Sequence, residues 1–375
     1  LLIAYFCEIN KGFLMLNNYL SLEKDFFHII TGPNGTGKSR MLTELSELAL
    51  RDINKKYSKI ICLAGTVYER FKIPSQNPFD YDYCYLGQKI NYNMFSELAP
   101  YRNLFKLFCH DYREDIIYDK KLQRISELFK LVGFDGFIGV KLRNQKGKGS
   151  IVEYDKYHCI FFNEEEFKSS ISNLKGLLED ACSISNITFL KGGVEYNLNE
   201  LSSGERSILL MILGVTLIIR DDCIIFYDEP ENSMHPKWQE YIISFLQEIV
   251  KLSCRSTVVV ATHSPLVVSS VTVHNKKIIN LGEKKGWRDS DDSINSNIET
   301  TLYKVFNKIT PQSHLLSIEI SKVVKDMLDE NISEAIARRK LNKLREAGLD
   351  DIQNELIDAV ISNLNEMKNN YDRID

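Results

Sequence analysis

An α/β fold with a mostly parallel core sheet is predicted by three features of this 375-residue chain. A glycine-rich loop joins the apolar run ending at Ile30 to a helical pattern starting at Lys38. Buried apolar runs and helical periodicity alternate from Ser207 to Ala261, and the chain ends in helical pattern without a strand signal.

Taken in order, Leu2 to Ile30 alternates short apolar stretches with Asn, Lys and Gly, which fits antiparallel strands feeding a core strand. After the glycine loop, Met41, Leu42, Leu45, Leu48 and Ala49 share one helix face. Lys59 to Ala64 and Tyr81 to Leu86 read as strands, and Met94 to Val132 as an inserted helical region. Phe137 to Leu142, Tyr157 to Phe162, Ile187 to Leu190 and Val194 to Leu198 read as short hairpin strands, the last two joined by Lys191-Gly192-Gly193. Ser207 to Ile219 is a buried helix, Cys223 to Tyr227 a buried strand, Trp238 to Leu252 an amphipathic helix and Thr257 to Ala261 another buried strand. A polar linker is expected from Gly286 to Asn297. The division is therefore a head at residues 1–285, with a helical and β insert at about 89–200, followed by a linker and helical region at 286–375.

Composition sets bounds on function. At 44% hydrophobic and 26% charged residues the chain reads as an ordinary globular protein, and its net charge of −4 gives no global attraction to nucleic acid or an anionic membrane. The longest apolar run is broken by Gly214 and Thr216 and closed by Arg220, too short for a bilayer span. The opening Leu1-Leu2-Ile3 lacks the marks of a signal peptide, so a cytoplasmic location is expected. Eight cysteines form no Cys-x-x-Cys pair; buried thiols are expected, with neither zinc site nor disulfide.

Four segments carry the chemistry. Gly32-Pro33-Asn34-Gly35-Thr36-Gly37-Lys38-Ser39 satisfies G-x-x-x-x-G-K-[ST] between a strand and a helix. Such a loop cradles phosphates with its amides, neutralises them with Lys38 and offers the Ser39 hydroxyl to Mg²⁺. Asp228 ends an apolar strand, where it can reach the same ion, and Glu229 beside it can orient or deprotonate a water. His263 follows a third strand and can hydrogen-bond a γ-phosphate. Leu201-Ser202-Ser203-Gly204-Glu205 precedes the buried helix.

In this order the segments resemble the ABC-type ATPase head: Walker A at Gly32 to Ser39, signature at Leu201 to Glu205, Walker B at Asp228-Glu229 and switch histidine at His263. The resemblance covers roughly residues 1–285. It implies ATP and Mg²⁺ as ligands and a homodimer in which Ser202, Ser203 and Gly204 of one subunit cap the γ-phosphate held by Lys38 of the other. It also implies a glutamine that contacts Mg²⁺ and the water after an early strand. Gln88 is the better placed candidate, and Gln76, in a Pro- and Asn-rich loop, is the second.

The long separation of Lys38 from Ser202 and the helical insert set the chain apart from transporter heads. Asp228-Glu-Pro-Glu-Asn-Ser-Met-His235-Pro and Ala261-Thr-His-Ser-Pro265 resemble the soluble branch that includes RecF-like repair proteins and the overcoming-lysogenization-defect (OLD) nucleases. Asp289-Ser-Asp291-Asp292 lies in polar sequence without flanking strands, so a Toprim nuclease site is not expected, and no heptads sustain long coiled-coil arms. A head without an effector is similar to the ATPase subunit of Septu-type, retron-linked anti-phage systems, whose partner is a separate HNH nuclease.

Three functions follow: a dimeric ATP switch controlling such an effector, a RecF-like DNA clamp, or an assembly module with negligible turnover. The cluster Arg338-Arg339-Lys340, Lys343 and Arg345 and the loop Lys146-Gly-Lys148 read as solvated faces or, second, as phosphate contacts. The apolar faces of the C-terminal helices either pack on the head or dock a partner.

Overall fold

The computed structural model describes residues 22–52, 54–74, 82–91, 93–113, 118–144, 156–179, 182–271, 275–281, 288–289, 298–311 and 313–371. The early strands expected before Leu22, Gln76, and Lys146 to Lys148 lie outside these residues. Contacts divide the chain into two compact units, Leu1–Asp289 and Ser290–Asp375.

The described residues of the first unit form thirteen strands: β1 (Phe27–Thr31), β2 (Lys59–Ala64), β3 (Tyr83–Leu86), β4 (Lys89–Asn91), β5 (Met94–Phe95), β6 (Phe137–Asn144), β7 (Lys156–Phe161), β8 (Cys182–Lys191), β9 (Val194–Asn197), β10 (Cys223–Asp228), β11 (Thr257–Ala261), β12 (Lys276–Asn280) and β13 (Arg288–Asp289). Seven form the core sheet in the order β13-β12-β1-β11-β10-β2-β3. Every described pairing in it is parallel except that of β13 with β12. FHIIT, CIIFYD and TVVVA are buried along their whole length because helices cover a parallel sheet on both faces.

Register places the functional strand ends side by side. Ala261 pairs with Ile30 on one flank and Asp228 on the other, and Asp228 pairs in turn with Ala64. The loops leaving β1, β11, β10 and β2 therefore open at one sheet edge, where ligands bind in open parallel sheets.

The insert holds helices Ala99–Asp111, Asp119–Leu131 and Glu164–Glu179 with an antiparallel sheet of order β7-β6-β8-β9. From β9 the chain passes through a 3-10 turn, Leu198–Glu200, to the helix Ser203–Ile218. That helix is apolar almost all round and buried from Ile208 to Ile218, as a helix inside a core must be.

Some elements differ from the sequence reading. Met94-Phe95 pairs with β4 as a hairpin, and the helix starts only at Ala99 with Pro100 in its first turn, a position where the missing N–H costs nothing. Glu164–Glu179 is a helix that the strand-centred reading passed over. Arg288–Asp289, expected in the linker, adds an antiparallel edge strand to β12.

In the second unit, helices Ile298–Phe306, His314–Leu328, Glu334–Leu344 and Asp351–Tyr371 surround a core of their own. Leu316, Ile320, Val323, Met327, Leu341, Ile357 and Leu364 are buried there. Val324, Leu328, Val360 and Ile361 pack against that core, whereas Ile318, Ile352, Leu356 and Met367, read on the same faces, are exposed. The expected basic cluster is largely neutralised. Arg338 pairs with Glu334 at 2.7 Å, Lys340 with Asp326 at 3.9 Å, and Arg345 with Asp358.

Candidate functional site

The loop after β1 turns through left-handed backbone at Gly35 (φ 83°) and Gly37 (φ 96°), conformations a side chain resists. Gly37 caps the helix Lys38–Arg51, whose first turn carries no acid, so its amides face outward into electropositive space suited to an anion. Thr36 closes the loop by donating its hydroxyl to the Pro33 carbonyl at 2.8 Å.

Lys38 is 5% exposed. Its ammonium donates to the carbonyls of Gly32 at 3.0 Å and Pro33 at 3.4 Å and lies 3.6 Å from Glu229 Oε1. Ser39 donates its hydroxyl to Asp228 Oδ1 at 3.0 Å. Two neighbouring ligands of one octahedral Mg²⁺, each about 2.1 Å from the ion, stand about 3 Å apart. The Ser39 and Asp228 oxygens thus fit that ion. Burial pushes the Asp228 carboxyl up to about 7; the Ser39 hydroxyl opposes this, and Glu229, Glu69 and Glu231 reinforce it. A cation beside Asp228 would relieve the charge that these acids crowd together.

Glu229 has φ 49°, unusual for a side-chain-bearing residue and of the kind that persists only where surroundings enforce it. Its N–H donates to Ala261 O at 2.8 Å, and Gly65 N–H donates to Asp228 O at 2.8 Å. A Cβ on Gly65 would stand 2.1 Å from the Glu229 carbonyl oxygen, so the turn needs glycine there. Asn232 completes the fastening by donating its side-chain amide to Gly65 O at 2.8 Å.

His263 is half exposed, and its Nδ1 is in hydrogen-bond contact with Glu229 Oε2. The two oxygens of Glu229 therefore span Lys38 on one side and His263 on the other. Glu229, Glu231 and His263 each present a ligand atom within 4.8 Å of the others, a second place with the donor types a divalent metal accepts.

Lys38, Ser39, Asp228, Glu229 and His263 are thus brought together. The signature is not joined to them by any described hydrogen bond. Ser202 caps the helix Ser203–Ile218, accepting from Glu205 N while Glu205 accepts from Ser202 N, and Glu205 also binds Lys191 at 2.7 Å. Ser202 and Ser203 are exposed, and Gly204 is buried close to the backbone of Ser233 and Met234. Gln88 is half-buried, with its carbonyl accepting from Ser96 N at 2.8 Å; no described hydrogen bond connects it to Ser39 or Asp228.

Two buried acids were given no role in the sequence reading. Glu231 was visible in the Asp228-Glu-Pro-Glu run, but nothing in a linear motif says where a second glutamate points. Glu69 belongs to no motif; it is fully buried, holds Lys89 at 2.6 Å and accepts from the Tyr85 hydroxyl, so it braces one residue on each side of the Leu86-Gly87-Gln88 segment.

Residues 117–268 match the sequence profile of the family described as AAA ATPase domain. "Retron Vc95 probable ATPase" from Vibrio cholerae serotype O1 biovar El Tor is 27% identical over 128 residues, covering 31% of this chain and 24% of that protein. "Retron Ec83 probable ATPase" from Escherichia coli is 28% identical over 127 residues, covering 31% of this chain and 23% of that one. The matched stretch therefore spans about a quarter of each relative. Among solved structures, a bacterial ABC transporter cassette seen as a dimer overlaps with TM-score 0.35 at 17% identity, covering 72% of this chain and 87% of that one. A component of an ABC transporter complex from Clostridium perfringens overlaps with TM-score 0.32 at 11% identity, covering 72% and 78%. No helix among the described residues is long and apolar enough to cross a membrane. The chain thus carries a match to an AAA ATPase domain at 117–268, together with a phosphate loop that the central sheet holds beside its acids.

Proposed function

We propose that this ATPase is a Mg²⁺-dependent dimeric switch that controls a separate effector, an HNH-type nuclease, in anti-phage defence. The observation that carries the chemistry is the placement of Glu229 between Lys38 and His263, beside the Ser39–Asp228 pair. The similarity to two retron ATPases supports the defence setting.

In this reading the loop amides of Gly32 to Ser39 and the Lys38 ammonium bind the phosphates of ATP. Ser39 and Asp228 hold Mg²⁺, with Gln88 a further contact. The ion, when bound, neutralises charge on the phosphate oxygens. Glu229 accepts a proton from the attacking water, and His263, hydrogen-bonded to Glu229, presents its other ring nitrogen to the γ-phosphate. Ser202, Ser203 and Gly204 cap that phosphate in the second subunit. The exposure of Ser202 and Ser203 at a helix N-terminus supports this, because such a position suits an anion arriving from outside.

Turnover of wild type against Glu229→Gln tests the enzyme. A fall of roughly 10² to 10⁴ is expected for removal of a general base. Equal turnover would leave an assembly module that uses ATP structurally. Light scattering tests the switch: ATP should convert Glu229→Gln to a closed dimer, and Lys38→Ala should bind no ATP. Co-expression with neighbouring gene products tests the effector, since isolation of the chain without a nuclease would remove it from the proposal. The alternative RecF-like clamp predicts ATP-stimulated, salt-sensitive DNA binding.

A further inference from the structure

Behind the pair Glu229–His263 lies Glu231, 5% exposed. One of its oxygens, Oε1, accepts three hydrogen bonds from one turn: Thr262 Oγ1 at 2.6 Å, His263 N at 2.8 Å and Ser264 N at 3.0 Å. The same oxygen is 3.2 Å from His263 Nδ1. Its other oxygen, Oε2, is buried with no hydrogen-bond partner. All three strong donors belong to the segment that follows β11, while Glu231 belongs to the segment that follows β10.

We propose that Glu231 is a positioning residue: it ties the Thr262-His263-Ser264 turn to the Asp228-Glu229 strand end and thereby sets the His263 ring against Glu229. The inference rests on the catalytic reading of Glu229 and His263 given above. Three donors from consecutive residues converging on a single oxygen fix the direction of the His263 backbone, and the ring leaves that backbone toward Glu229. Ser264 is locked a second way, by donating its hydroxyl to Gln239 Oε1 at 2.8 Å, so the turn is held from both ends. What the three donors need is an acceptor at the Oε1 position, which a side-chain amide oxygen also supplies, while Oε2 accepts no described hydrogen bond.

The separation of acceptor from charge gives the test. In Glu231→Gln the side-chain oxygen can still receive all three donors; in Glu231→Asp the charge remains but the chain is a methylene too short. Steady-state ATP turnover, KM and nucleotide affinity are measured for Glu231→Gln, Glu231→Asp, Glu231→Ala, His263→Ala and the double variant Glu231→Ala/His263→Ala, with thermal midpoints as a check on folding. The expectation is that Glu231→Asp and Glu231→Ala lower kcat roughly tenfold to a hundredfold while KM moves less than about threefold, and that Glu231→Gln stays within about threefold of wild type. Adding Glu231→Ala to His263→Ala should then change kcat by less than about twofold, because the ring it positions is gone.

A full additional loss in the His263→Ala background would overturn the proposal and leave Glu231 a general staple of the fold. So would an active Asp variant beside an inactive Gln variant, which would make the charge the essential feature. Should His263→Ala alone retain wild-type turnover, it is the catalytic reading of His263 that fails, an outcome read separately from the Glu231 variants. If Glu231→Ala does not fold, the Gln and Asp variants decide by the same opposition.

Discussion

Lys38, Asp228 and Glu231 sit in the head with 5%, 1% and 5% of their surface exposed, whereas Arg338, Lys340 and Arg345 of the C-terminal helices lie at or near the surface, each beside an acid. At the sheet edge Glu229, Glu69 and Glu231 all press charge on the buried Asp228, whose carboxylate accepts one described hydrogen bond, from the Ser39 hydroxyl. Burying charge without full compensation costs free energy, and a fold keeps such an arrangement only where something arriving from outside completes it. Exposed pairs cost little and contribute little. The contrast separates charge placed for chemistry from charge placed for solvation, and it can be broken at either end.

Asp228 gives the largest effect. Its carboxyl titrates at about 7 in the folded protein against 3.8 ordinarily. A group with a raised folded value contributes stability that is fully present below the unfolded value and is lost as pH rises through the folded one. Wild type should therefore weaken from pH 4 upward to pH 8 relative to Asp228→Asn, by roughly 4 kcal/mol at the end of the range. Thermal unfolding of both proteins without Mg²⁺ at pH 4 and pH 8 measures this. Mg²⁺ should recover the loss in wild type alone, and its affinity should rise with pH across the same window. Turnover of Asp228→Asn should fall at least about a hundredfold at every pH.

A smaller effect is expected at Gly65. A methyl group there would meet the Glu229 carbonyl oxygen at 2.1 Å, backbone against backbone, with no flexible side chain to give way. Gly65→Ala should lower stability by about 1–3 kcal/mol and displace the strained Glu229 turn, so that kcat falls more than ATP affinity. Calorimetry with parallel nucleotide titration checks both. Equal losses in kcat and affinity would mean that the turn and the Lys38 loop move together.

How much of this could be read from sequence depended on where chemistry met secondary structure. Asp228 and His263 were legible because each stands at or just after the end of a strand whose apolar run is unmistakable, Lys38 and Ser39 because a glycine-rich loop joins them to β1, and parallel register does the rest. Glu69 was not legible, since it lies in a connection after β2 and acts on Asp228 only through space. The helix Glu164–Glu179 did carry a signal at Phe167, Ile171 and Leu174, all buried on one face, but the serines and Asn173 between them and Gly176 after them lower helix propensity and masked it. β12 opens with two lysines, and the first is buried because its ammonium donates to Val271 O at 2.7 Å, a pairing no local pattern announces. Basic residues at 338–345 kept a phosphate contact open as the second reading, behind a solvated face, because their acids come from other turns and other helices.

The smallest effect should come from that cluster. Replacing Arg338, Arg339 and Lys340 together by glutamine removes the pairs with Glu334 and Asp326, both at or near the surface. Such pairs are each worth about 0–1 kcal/mol, so unfolding of the triple variant should differ from wild type by no more than about 2 kcal/mol and ATP turnover should not change. The discriminating measurement is the dependence of any nucleic-acid binding on salt. Arg338 and Lys340, already matched to acids, displace few counterions from a phosphate backbone, so the slope of log affinity against log salt should move by no more than about one unit. A decrease of about three units would show that these side chains leave their acids for phosphates, and the contrast between completed and incomplete charge would then have to be redrawn with the C-terminal helices on the functional side.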